Sequence, residues 1–150
     1  MNDDRIIIKI KKLHKDAVIP TYAHYGDSCV DLYSVEDKEI LWQNVALINT
    51  GIAVEIPFGY EGQIRSRSGN ALNNHYIVCN SPGTIDSNYR GEIRVILYNT
   101  SSLNLVHIKK GDRIAQLVIQ KVPKEIIFEE VDELDENFDR GSKGFGSSGQ

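Results

Sequence analysis

Short runs of apolar and β-branched residues recur along the chain, and turn-forming residues separate them. The runs occupy residues 6–10, 45–48, 52–56, 93–98 and 114–122. All four prolines lie between these runs, as do the glycine-containing turns at residues 57–59, 81–83 and 110–112. Runs of this kind are typical of β-strands, and the interior of a sheet excludes proline. The pattern therefore predicts a mostly β protein.

One short helix is predicted at residues 69–74, with Ser68 as its N-cap. Residues 128–139 hold seven acidic residues among four apolar ones, and the apolar spacing could also suit a helix. We favour an extended, solvated arm there, because so many like charges repel one another in a short isolated helix.

The chain has 150 residues, which suits a single domain with one core. Its formal net charge of −4 argues against non-specific binding to nucleic acid, because a surface that binds duplexes carries a basic excess. No stretch approaches the roughly 18 apolar residues of a membrane span, and residues 1–4 lack the basic start of a signal peptide. We therefore expect a cytoplasmic protein with neither nucleic acid nor a membrane as its partner.

The two cysteines, Cys29 and Cys79, lie far apart in sequence and form no Cys-x-x-Cys pair. We therefore expect free, half-buried thiols rather than a disulfide framework. His75 and Cys79 lie four residues apart, but no second pair of ligands stands at metal-binding spacing. A zinc site is therefore not predicted.

Residues 140–150 form a tail with four glycines that also carries Arg140, Lys143, Phe145 and three serines. Glycines let a backbone wrap closely around a ligand, cations and hydroxyls suit phosphate oxygens, and an aromatic ring suits a nucleobase. These residues favour a lid over a nucleotide. A disordered Gly/Ser tail is the alternative, and the Gly-x-Gly-x-x-Gly match at 144–149 lacks the strand and helix of a dinucleotide site.

Residues 83–91 place Asp86 and Tyr89 between two glycines, shortly after Asn80. This pattern predicts the tip of a β-hairpin, whose backbone groups could read the Watson–Crick edge of a pyrimidine together with the Asn80 amide. Asp86 could instead cap the turn, since aspartate is a favoured turn residue.

Residues 61–69 end a predicted strand with Arg65 and Arg67 and then open the predicted helix. A phosphate there would meet helix N–H groups, the Ser68 hydroxyl and the Arg67 guanidinium. The alternative is a surface ladder, in which the two arginines share one strand face and pair with carboxylates.

Two polar residues interrupt apolar strands. Gln116 lies among Ile114, Ala115, Leu117 and Val118, so it either satisfies backbone groups or contacts a ligand. Asp31 lies inside another apolar strand, where an unpaired carboxylate would be costly. A metal or a network of ordered water would explain Asp31.

These segments, in this order and across nearly the whole chain, resemble the five motifs of the trimeric dUTPases. The most informative matches are Arg-Ser-Gly at 67–69, Gly-x-Ile-Asp-x-x-Tyr at 83–89, Gly-Asp-Arg-Ile-Ala-Gln-Leu at 111–117 and Arg-Gly-x-x-Gly-Phe-Gly at 140–146. The resemblance implies an all-β fold, a jelly roll or β-barrel with one short helix and a flexible C-terminal arm. Residues 1–128 would form the jelly-roll domain, and residues 129–150 the acidic arm and glycine-rich lid, swapped to a neighbouring subunit.

The resemblance also implies an activity. Family members hydrolyse dUTP to dUMP and pyrophosphate, which limits uracil incorporation into DNA and supplies dUMP for dTMP synthesis. Asp86 matches the general base that activates water for attack on the α-phosphorus, and Asp31 matches the carboxylate that reaches Mg²⁺ through water. Tyr89 matches the ring that packs on the deoxyribose.

The resemblance implies that the remaining matched residues bind the substrate dUTP in three groups. The uracil group is Asn80, Gly83, Thr84 and Ile85. The phosphate and water group is Arg67, Ser68, Gly69 and Gln116. The lid group is Arg140, Phe145, Gly146 and Ser147. The resemblance implies a homotrimer with three shared sites, each of which takes its uracil-reading segment, its phosphate-binding motifs and its lid from three different subunits.

Four positions depart from the family pattern. Ser28 and Cys29 stand where Ala-Gly is usual, Ser66 replaces a common proline, and Lys143 replaces a common glycine. None of these changes removes a named catalytic group. Two other functions remain alternatives: a dCTP deaminase of the same fold, and a regulatory trimer that senses dUTP.

Overall fold

A computed structural model describes residues 5–135, and this part contains ten strands and one helix. In chain order they are β1 (Lys9–Lys12), β2 (Val30–Tyr33), β3 (Lys38–Ile40), β4 (Val45–Glu55), β5 (Tyr60–Arg65), α1 (Ser68–Asn73), β6 (Tyr76–Val78), β7 (Gly83–Ile85), β8 (Glu92–Asn99), β9 (Val106–Ile108) and β10 (Arg113–Lys121). The predicted all-β fold with one short helix is confirmed.

The strands form two four-stranded sheets and one strand pair. One sheet has the order β1-β4-β8-β6, the other has the order β2-β10-β5-β7, and β3 pairs with β9. Every pairing is antiparallel. The sheets do not close into a barrel, so the arrangement is that of a jelly roll.

Strand β8 illustrates how the two sheets bury a common core. Ile93, Val95 and Leu97 are fully buried, and the side chains between them point away from the core. From the facing sheet, Ile64 of β5 and Leu117 of β10 join the same cluster. Full burial of such side chains stabilises the fold by about 1.5–3 kcal/mol each. The alternation of the sequence at 93–98 thus reports which face of the strand is buried.

The runs at 45–48 and 52–56 are not two strands, because both belong to the single strand β4. The register against β8 shifts between Asn49 and Ala53, which marks a β-bulge. Gly51 sits in the bulge with φ +68°, and a Cβ there would lie 2.7 Å from the Cβ of His14. The polar break at 49–51 therefore bends one strand rather than ending it.

Two further predictions differ from the structure. The run at 6–10 is only partly a strand, since β1 begins at Lys9. Residues 83–91 do not form a β-hairpin, because β7 pairs with β5 while β8 pairs with β4 and β6 in the other sheet. A glycine-bounded turn looks the same in sequence whether it joins two paired strands or crosses between sheets.

Ser68 is not the N-cap of α1, because it is the first helical residue. The N-cap is Arg67, whose backbone is extended and whose side chain makes no capping hydrogen bond. The helix is held instead by Asn70, which is buried and donates from Nδ2 to the carbonyl oxygen of Arg113 at 2.8 Å. Tertiary contact with the start of β10 thus replaces the expected cap.

The acidic arm has neither helix nor strand up to Asp135, and its side chains from Phe128 onward are exposed. The helical alternative is therefore contradicted for residues 128–135. Residues 136–150, with the rest of the arm and the whole tail, lie outside the described part. The only helix of the described part is too short to cross a membrane.

Asn99 at the end of β8 ties three segments together inside the protein. Its Nδ2 donates to the carbonyl oxygens of Ile40 at 3.0 Å and Asn104 at 2.8 Å, and its Oδ1 accepts from the Ser101 amide at 2.9 Å. The side chain is fully buried. Its amide therefore satisfies backbone groups of β3 and of the loop that follows β8.

We expect Asn99→Ala to lower the free energy of unfolding by about 3 kcal/mol, because it leaves three backbone groups without their partner. Asn104→Ala is the matched control, since that side chain is exposed and its backbone bonds remain. The control should change stability by less than about 0.5 kcal/mol. Urea titrations of both variants measure the difference, and equal effects would contradict the role assigned to Asn99.

Tyr76 predicts a loss of stability at high pH. Burial raises its pKa from 10.0 to about 12; Asp112 adds to the rise and Arg67 opposes it. Because the unfolded chain loses this proton first, the free energy of unfolding should fall by about 1.4 kcal/mol between pH 9 and pH 11. Tyr76→Phe should remove that part of the fall, whereas Tyr22→Phe at an exposed position should not. Identical pH profiles for the two variants would refute the assignment.

Candidate active site

Strand β7 lies at one edge of its sheet, and this leaves one row of its backbone groups unpaired. Within the described residues it pairs only with β5, where Gly62 faces Ile85 and Ile64 faces Gly83. The Asn80 side chain lies directly over Gly83, since a Cβ there would be 3.0 Å from Asn80 Nδ2. Backbone N–H and C=O groups and one side-chain amide thus stand together at an open edge.

A cavity of about 280 Å³ lies against this edge, and we call it the Tyr89 cavity. The sequence-predicted residues on its wall are Asn80, Gly83, Thr84, Ile85, Asp86 and Tyr89. The lining also includes Leu47 of β4 and Ile96 of β8. A cavity that offers both hydrogen-bonding and apolar groups suits a flat heterocycle.

The Asp86 carboxylate is exposed and has no hydrogen-bond partner among the described residues. The turn is closed by the backbone, where the Tyr89 amide donates to the Asp86 carbonyl oxygen at 3.1 Å. The alternative that the Asp86 side chain caps this turn is therefore wrong. Its carboxylate is free to accept a proton or a hydrogen bond from a ligand.

A second cavity of about 310 Å³ lies beside β2 and β10, and we call it the Asp31 cavity. Antiparallel pairing sets Gln116 of β10 opposite Asp31 of β2 and opposite Arg65 of β5. Both Asp31 and Gln116 line the cavity, together with Arg67 and Arg113. Strand register thus brings together residues far apart in sequence.

Asp31 is paired with an arginine, which explains its burial without a metal. Arg67 Nε lies 2.8 Å from Asp31 Oδ1, and the two side chains are only 21% and 12% exposed. Arg113 Nη1 lies 3.5 Å from the other carboxylate oxygen. The expectation that a metal or ordered water is needed to satisfy Asp31 is therefore corrected.

Arg65 and Arg67 do not share a strand face, because β5 ends at Arg65. Arg65 does not pair with a carboxylate as the ladder alternative expected, since its Nη2 donates to Gln63 Oε1 at 2.7 Å, and the Gln63 Nε2 donates to Glu61 in turn. Arg67 departs from the strand and turns toward Asp31 instead. Only Arg67 of the two arginines therefore lines the Asp31 cavity.

Ser68 and Gly69 follow Arg67 in the exposed first turn of α1. Nothing lies within 4 Å of the position that a Gly69 Cβ would occupy. Neither residue lines the Asp31 cavity in this single chain, but both stand next to Arg67 in open space. Their backbone N–H groups and the Ser68 hydroxyl are accessible to an anion.

Comparisons with known proteins agree with this geometry. A family model described as dUTPase matches residues 15–149. The deoxyuridine 5'-triphosphate nucleotidohydrolase of Helicobacter hepaticus is 53% identical over 142 residues, which are 95% of this chain and 88% of that protein. The Clostridium tetani protein of the same name is 50% identical over 143 residues, 95% of this chain and 97% of that one. The chain belongs to the dUTPase family.

Solved dUTPase structures share the fold. The Staphylococcus bacteriophage 80alpha dUTPase with dUPNHPP has a TM-score of 0.89 and 32% identity, covering 96% of this chain and 99% of that one. A dUTPase from phage phi11 of S. aureus, described with a structural Mg(II) ion, has a TM-score of 0.79 and 26% identity over 86% of this chain and 99% of that one. As a dUTPase, the protein is a hydrolase of dUTP.

One residue of the dUTPase motifs was not singled out from the sequence, although the structure brings it to the site. Arg113 faces Asp31, and its carbonyl oxygen accepts bonds from both Asn70 and Arg67. A basic residue at the start of a mostly buried strand is the signal in the sequence. We therefore add Arg113 to the residues of the Asp31 cavity.

The departures from the dUTPase pattern are now placed. Ser28 and Cys29 line the Asp31 cavity, and Cys29 is a half-buried free thiol, whereas Cys79 is an exposed one. Ser66 accepts a hydrogen bond from the Val78 amide at 2.9 Å. This bond ties the segment before Arg67 to the strand before Asn80. The half-buried expectation thus holds for Cys29 and is wrong for Cys79.

The tail residues Arg140, Lys143, Phe145, Gly146 and Ser147 lie outside the described part. Among the residues that are described, the Tyr89 cavity and the Asp31 cavity share no lining residue. The residues predicted to read uracil and the predicted phosphate residues Arg67 and Gln116 therefore line separate cavities in a single chain.

Proposed function

We propose that the chain hydrolyses dUTP to dUMP and pyrophosphate, with Asp86 as the general base for a water that attacks the α-phosphorus. The observation that carries this proposal is the free carboxylate of Asp86 on the same cavity wall as Asn80, Tyr89 and the open edge of β7. A general base must reach the reacting proton and must not be spent on another partner.

The uracil ring would bind along the open edge of β7. Uracil offers an N–H donor between two carbonyl acceptors, and a strand edge offers carbonyl and N–H groups in alternation. The Asn80 amide, held over Gly83, adds one donor and one acceptor. Cytosine differs from uracil at two of these atoms, so such an edge discriminates between the bases. The Thr84 and Ile85 backbone groups take part in this reading.

The triphosphate would bind at the Asp31 cavity and the start of α1. Arg67 and Arg113 supply positive charge there, and Gln116, which lies on β10 with Arg113, supplies a neutral amide. The Ser68 hydroxyl and the Gly69 N–H are exposed beside them. Arginines and N–H groups are the usual partners of phosphate oxygens in proteins. From the tail, Arg140 and Ser147 would add contacts to the γ-phosphate, and Phe145 with Gly146 would cover the uracil.

A magnesium ion at this site would be held mainly by the phosphates of the substrate. The described residues contain no group of three or more acidic, histidine or cysteine side chains that could hold a metal. Asp31 alone would therefore reach the ion, through water, while the phosphates supply the direct ligands, as Mg²⁺ commonly prefers. When bound, the ion offsets the negative charge of the triphosphate.

The reaction itself needs one proton acceptor and one leaving group. Asp86 takes a proton from water as the water oxygen forms a bond to the α-phosphorus. The bond from that phosphorus to the α,β-bridging oxygen breaks, and pyrophosphate leaves with the electron pair. Arg67 and Arg113 stand where charge on the leaving group would develop, which lowers the barrier electrostatically.

A homotrimer with shared sites is supported by three features of the single chain. The two cavities share no residue, which fits a site that combines the base wall of one copy with the phosphate wall of another. Leu47 and Ile96 face each other across β4 and β8 and are 42% and 37% exposed. Ile127 and Phe128 at the start of the arm are 89% and 94% exposed. Apolar residues exposed together commonly mark an interface.

The arm is long enough to reach another subunit, because about ten extended residues span roughly 30 Å. The lid of residues 140–150 would then close a site on a neighbour. In a cytoplasmic setting, the enzyme would limit uracil incorporation into DNA and supply dUMP for dTMP synthesis.

Asp86→Asn should lower turnover by about 10² to 10⁴ while the fold and most of the affinity for a nonhydrolysable dUTP analogue remain. Asn88→Ala, an exposed side chain in the same turn, is the control for local disturbance. Pyrophosphate release measures turnover, and ammonia release from dCTP is followed in parallel to test the deaminase alternative. An Asp86→Asn turnover within about threefold of the parent would remove Asp86 from the role of base.

Deletion of residues 140–150 should leave a folded trimer but abolish most activity. The deleted segment has a single aromatic residue and brings little apolar surface to a core. Its loss removes the γ-phosphate clamp and the cover over the uracil, so the substrate is less well held. Size measurement in solution and pyrophosphate release check the two parts separately. A dissociated chain, or full activity, would each contradict this expectation.

Subunit sharing is tested by refolding the tail-deleted chain together with a full-length Asp86→Asn chain. In shared sites, an intact Asp86 from one chain is covered by the tail of the other. Activity should therefore appear in the mixture that neither parent shows. If mixed trimers confirmed by mass stay as inactive as both parents, each tail serves the turn of its own chain.

A further inference from the structure

The ring of Tyr89 lies directly on Gly91. A Cβ on Gly91 would overlap Tyr89 Oη and lie 2.6 Å from Cζ and 3.0 Å from Cε2. Real Cβ atoms essentially never come within 3.0 Å of a heavy atom to which they are not connected through the chain. Any side chain at position 91 would therefore displace the Tyr89 ring from the place it occupies.

The backbone at position 91 does not itself require glycine. The described glycines with positive φ are Gly26, Gly51, Gly59 and Gly111, and Gly91 is not among them. An alanine can adopt the remaining conformations without strain. What excludes a side chain at this position is therefore the aromatic ring and not the turn.

The ring is held in its place from two sides. Its hydroxyl donates to the Glu92 carbonyl oxygen at 3.0 Å, and the Tyr89 amide closes the turn onto Asp86. Glu92 is fixed in turn, because its carboxylate accepts from the Gly51 amide at 2.8 Å. The backbone of Gly91, which carries no side chain, packs against the ring, and Tyr89 lines the Tyr89 cavity from this position.

We propose that Gly91 is a positioning residue for sugar selection: its missing side chain sets the depth at which the Tyr89 ring rests in the cavity wall. This inference rests on the proposed function and on the role that the family resemblance implies for Tyr89, whose ring would pack on the deoxyribose and leave no room for a 2′-hydroxyl. A side chain at 91 lifts the ring from its seat and alters the space beside the sugar. Gly91 acts only through Tyr89 and touches no reacting atom.

The overlap should affect function more than folding. The overlapped atoms belong to the far end of an exposed side chain, so the ring can swing away while the backbone stays in place. Tyr89 is 39% exposed, so part of the residue already borders solvent. The Asp86 carboxylate, three residues earlier in the turn, keeps its environment.

A double-mutant cycle tests the inference with four proteins: the parent, Tyr89→Ala, Gly91→Ala and the double variant. The ratio of kcat/KM for dUTP to that for UTP is measured for each, with thermal unfolding as a check on the fold. Gly91→Ala should lower the ratio on the order of tenfold when Tyr89 is present, within the range that a pocket achieves against an added hydroxyl. In the Tyr89→Ala background it should not change the ratio.

The outcomes separate this inference from the proposed function. A parent that does not hydrolyse dUTP contradicts the function assigned to the site. A Tyr89→Ala ratio equal to that of the parent, with dUTP hydrolysis intact, removes only the sugar role of Tyr89. The role of Gly91 falls in either case. An intact Tyr89 effect with an unchanged Gly91→Ala ratio, or equal Gly91→Ala effects in both backgrounds, overturns the Gly91 inference alone.

Folding supplies a second test should Gly91→Ala fail to fold. If the ring overlap is the cause, removing the ring restores a folded protein, so the double variant should unfold at the same temperature as Tyr89→Ala. A double variant that also fails, beside a folded Tyr89→Ala, shows a backbone requirement and overturns the inference.

Discussion

Both halves of the candidate site depend on the pairing of β5 with its two neighbours. On one side β5 holds β7, whose free edge lines the Tyr89 cavity, and on the other it holds β10, which carries Gln116. Gly62 permits this close approach, since a Cβ there would lie 3.0 to 3.2 Å from Ile56, Leu117 and Ile85. Just beyond the end of β5, Arg67 turns toward Asp31 and forms an ion pair with it. One strand thus fixes where a base edge and a phosphate contact can stand relative to each other.

The ion pair of Asp31 and Arg67 explains why the phosphate half is incomplete by itself. An unpaired carboxylate with 12% exposure would be costly, so Arg67 is largely committed to balancing it. Arg113 also lies 3.5 Å from Asp31, and Asp27 lines the same cavity, so the arginines there are balanced by carboxylates. A triphosphate brings several negative charges and needs more than this. The cluster therefore fits a site that recruits further cations, from the tail and from a metal that the phosphates themselves bind.

The sequence predicted the fold best where one strand carries a long pattern. Strands β8 and β10 are predicted correctly because each carries its apolar pattern without interruption, over 8 and 9 residues. Strands of three residues, such as β3 and β9, are too short for a period to appear. The polar break around Gly51 predicts the end of a strand, whereas the structure has a β-bulge there. Glycine is common in both bulges and turns, so the sequence alone does not distinguish them. Local patterns identify strands, but only tertiary pairing decides which strands are neighbours.

The candidate site was predicted as a set of residues and not as an arrangement. The motif resemblance pointed to Asp86, Asn80 and Tyr89, and the structure brings these three to one cavity. The partner of Asp31 could not be predicted, because Arg67 lies 36 positions further along the chain and meets it only through folding. The separation of the base and phosphate walls is expected only from the family resemblance, which implies sites shared between subunits, because the spacing of the motifs says nothing of distance.

That separation has a physical advantage for an enzyme whose substrate is a small, highly charged nucleotide. A wall that reads a base must offer unpaired backbone groups, which a compact chain normally satisfies internally. A strand edge such as β7 meets this need only at the boundary of a domain, where a neighbour or a lid can later exclude water. The exposed apolar pair of Leu47 and Ile96 borders the same cavity. The open edge of β7 and the exposed pair of Leu47 and Ile96 therefore lie at the same place on the surface, because the core covers neither of them.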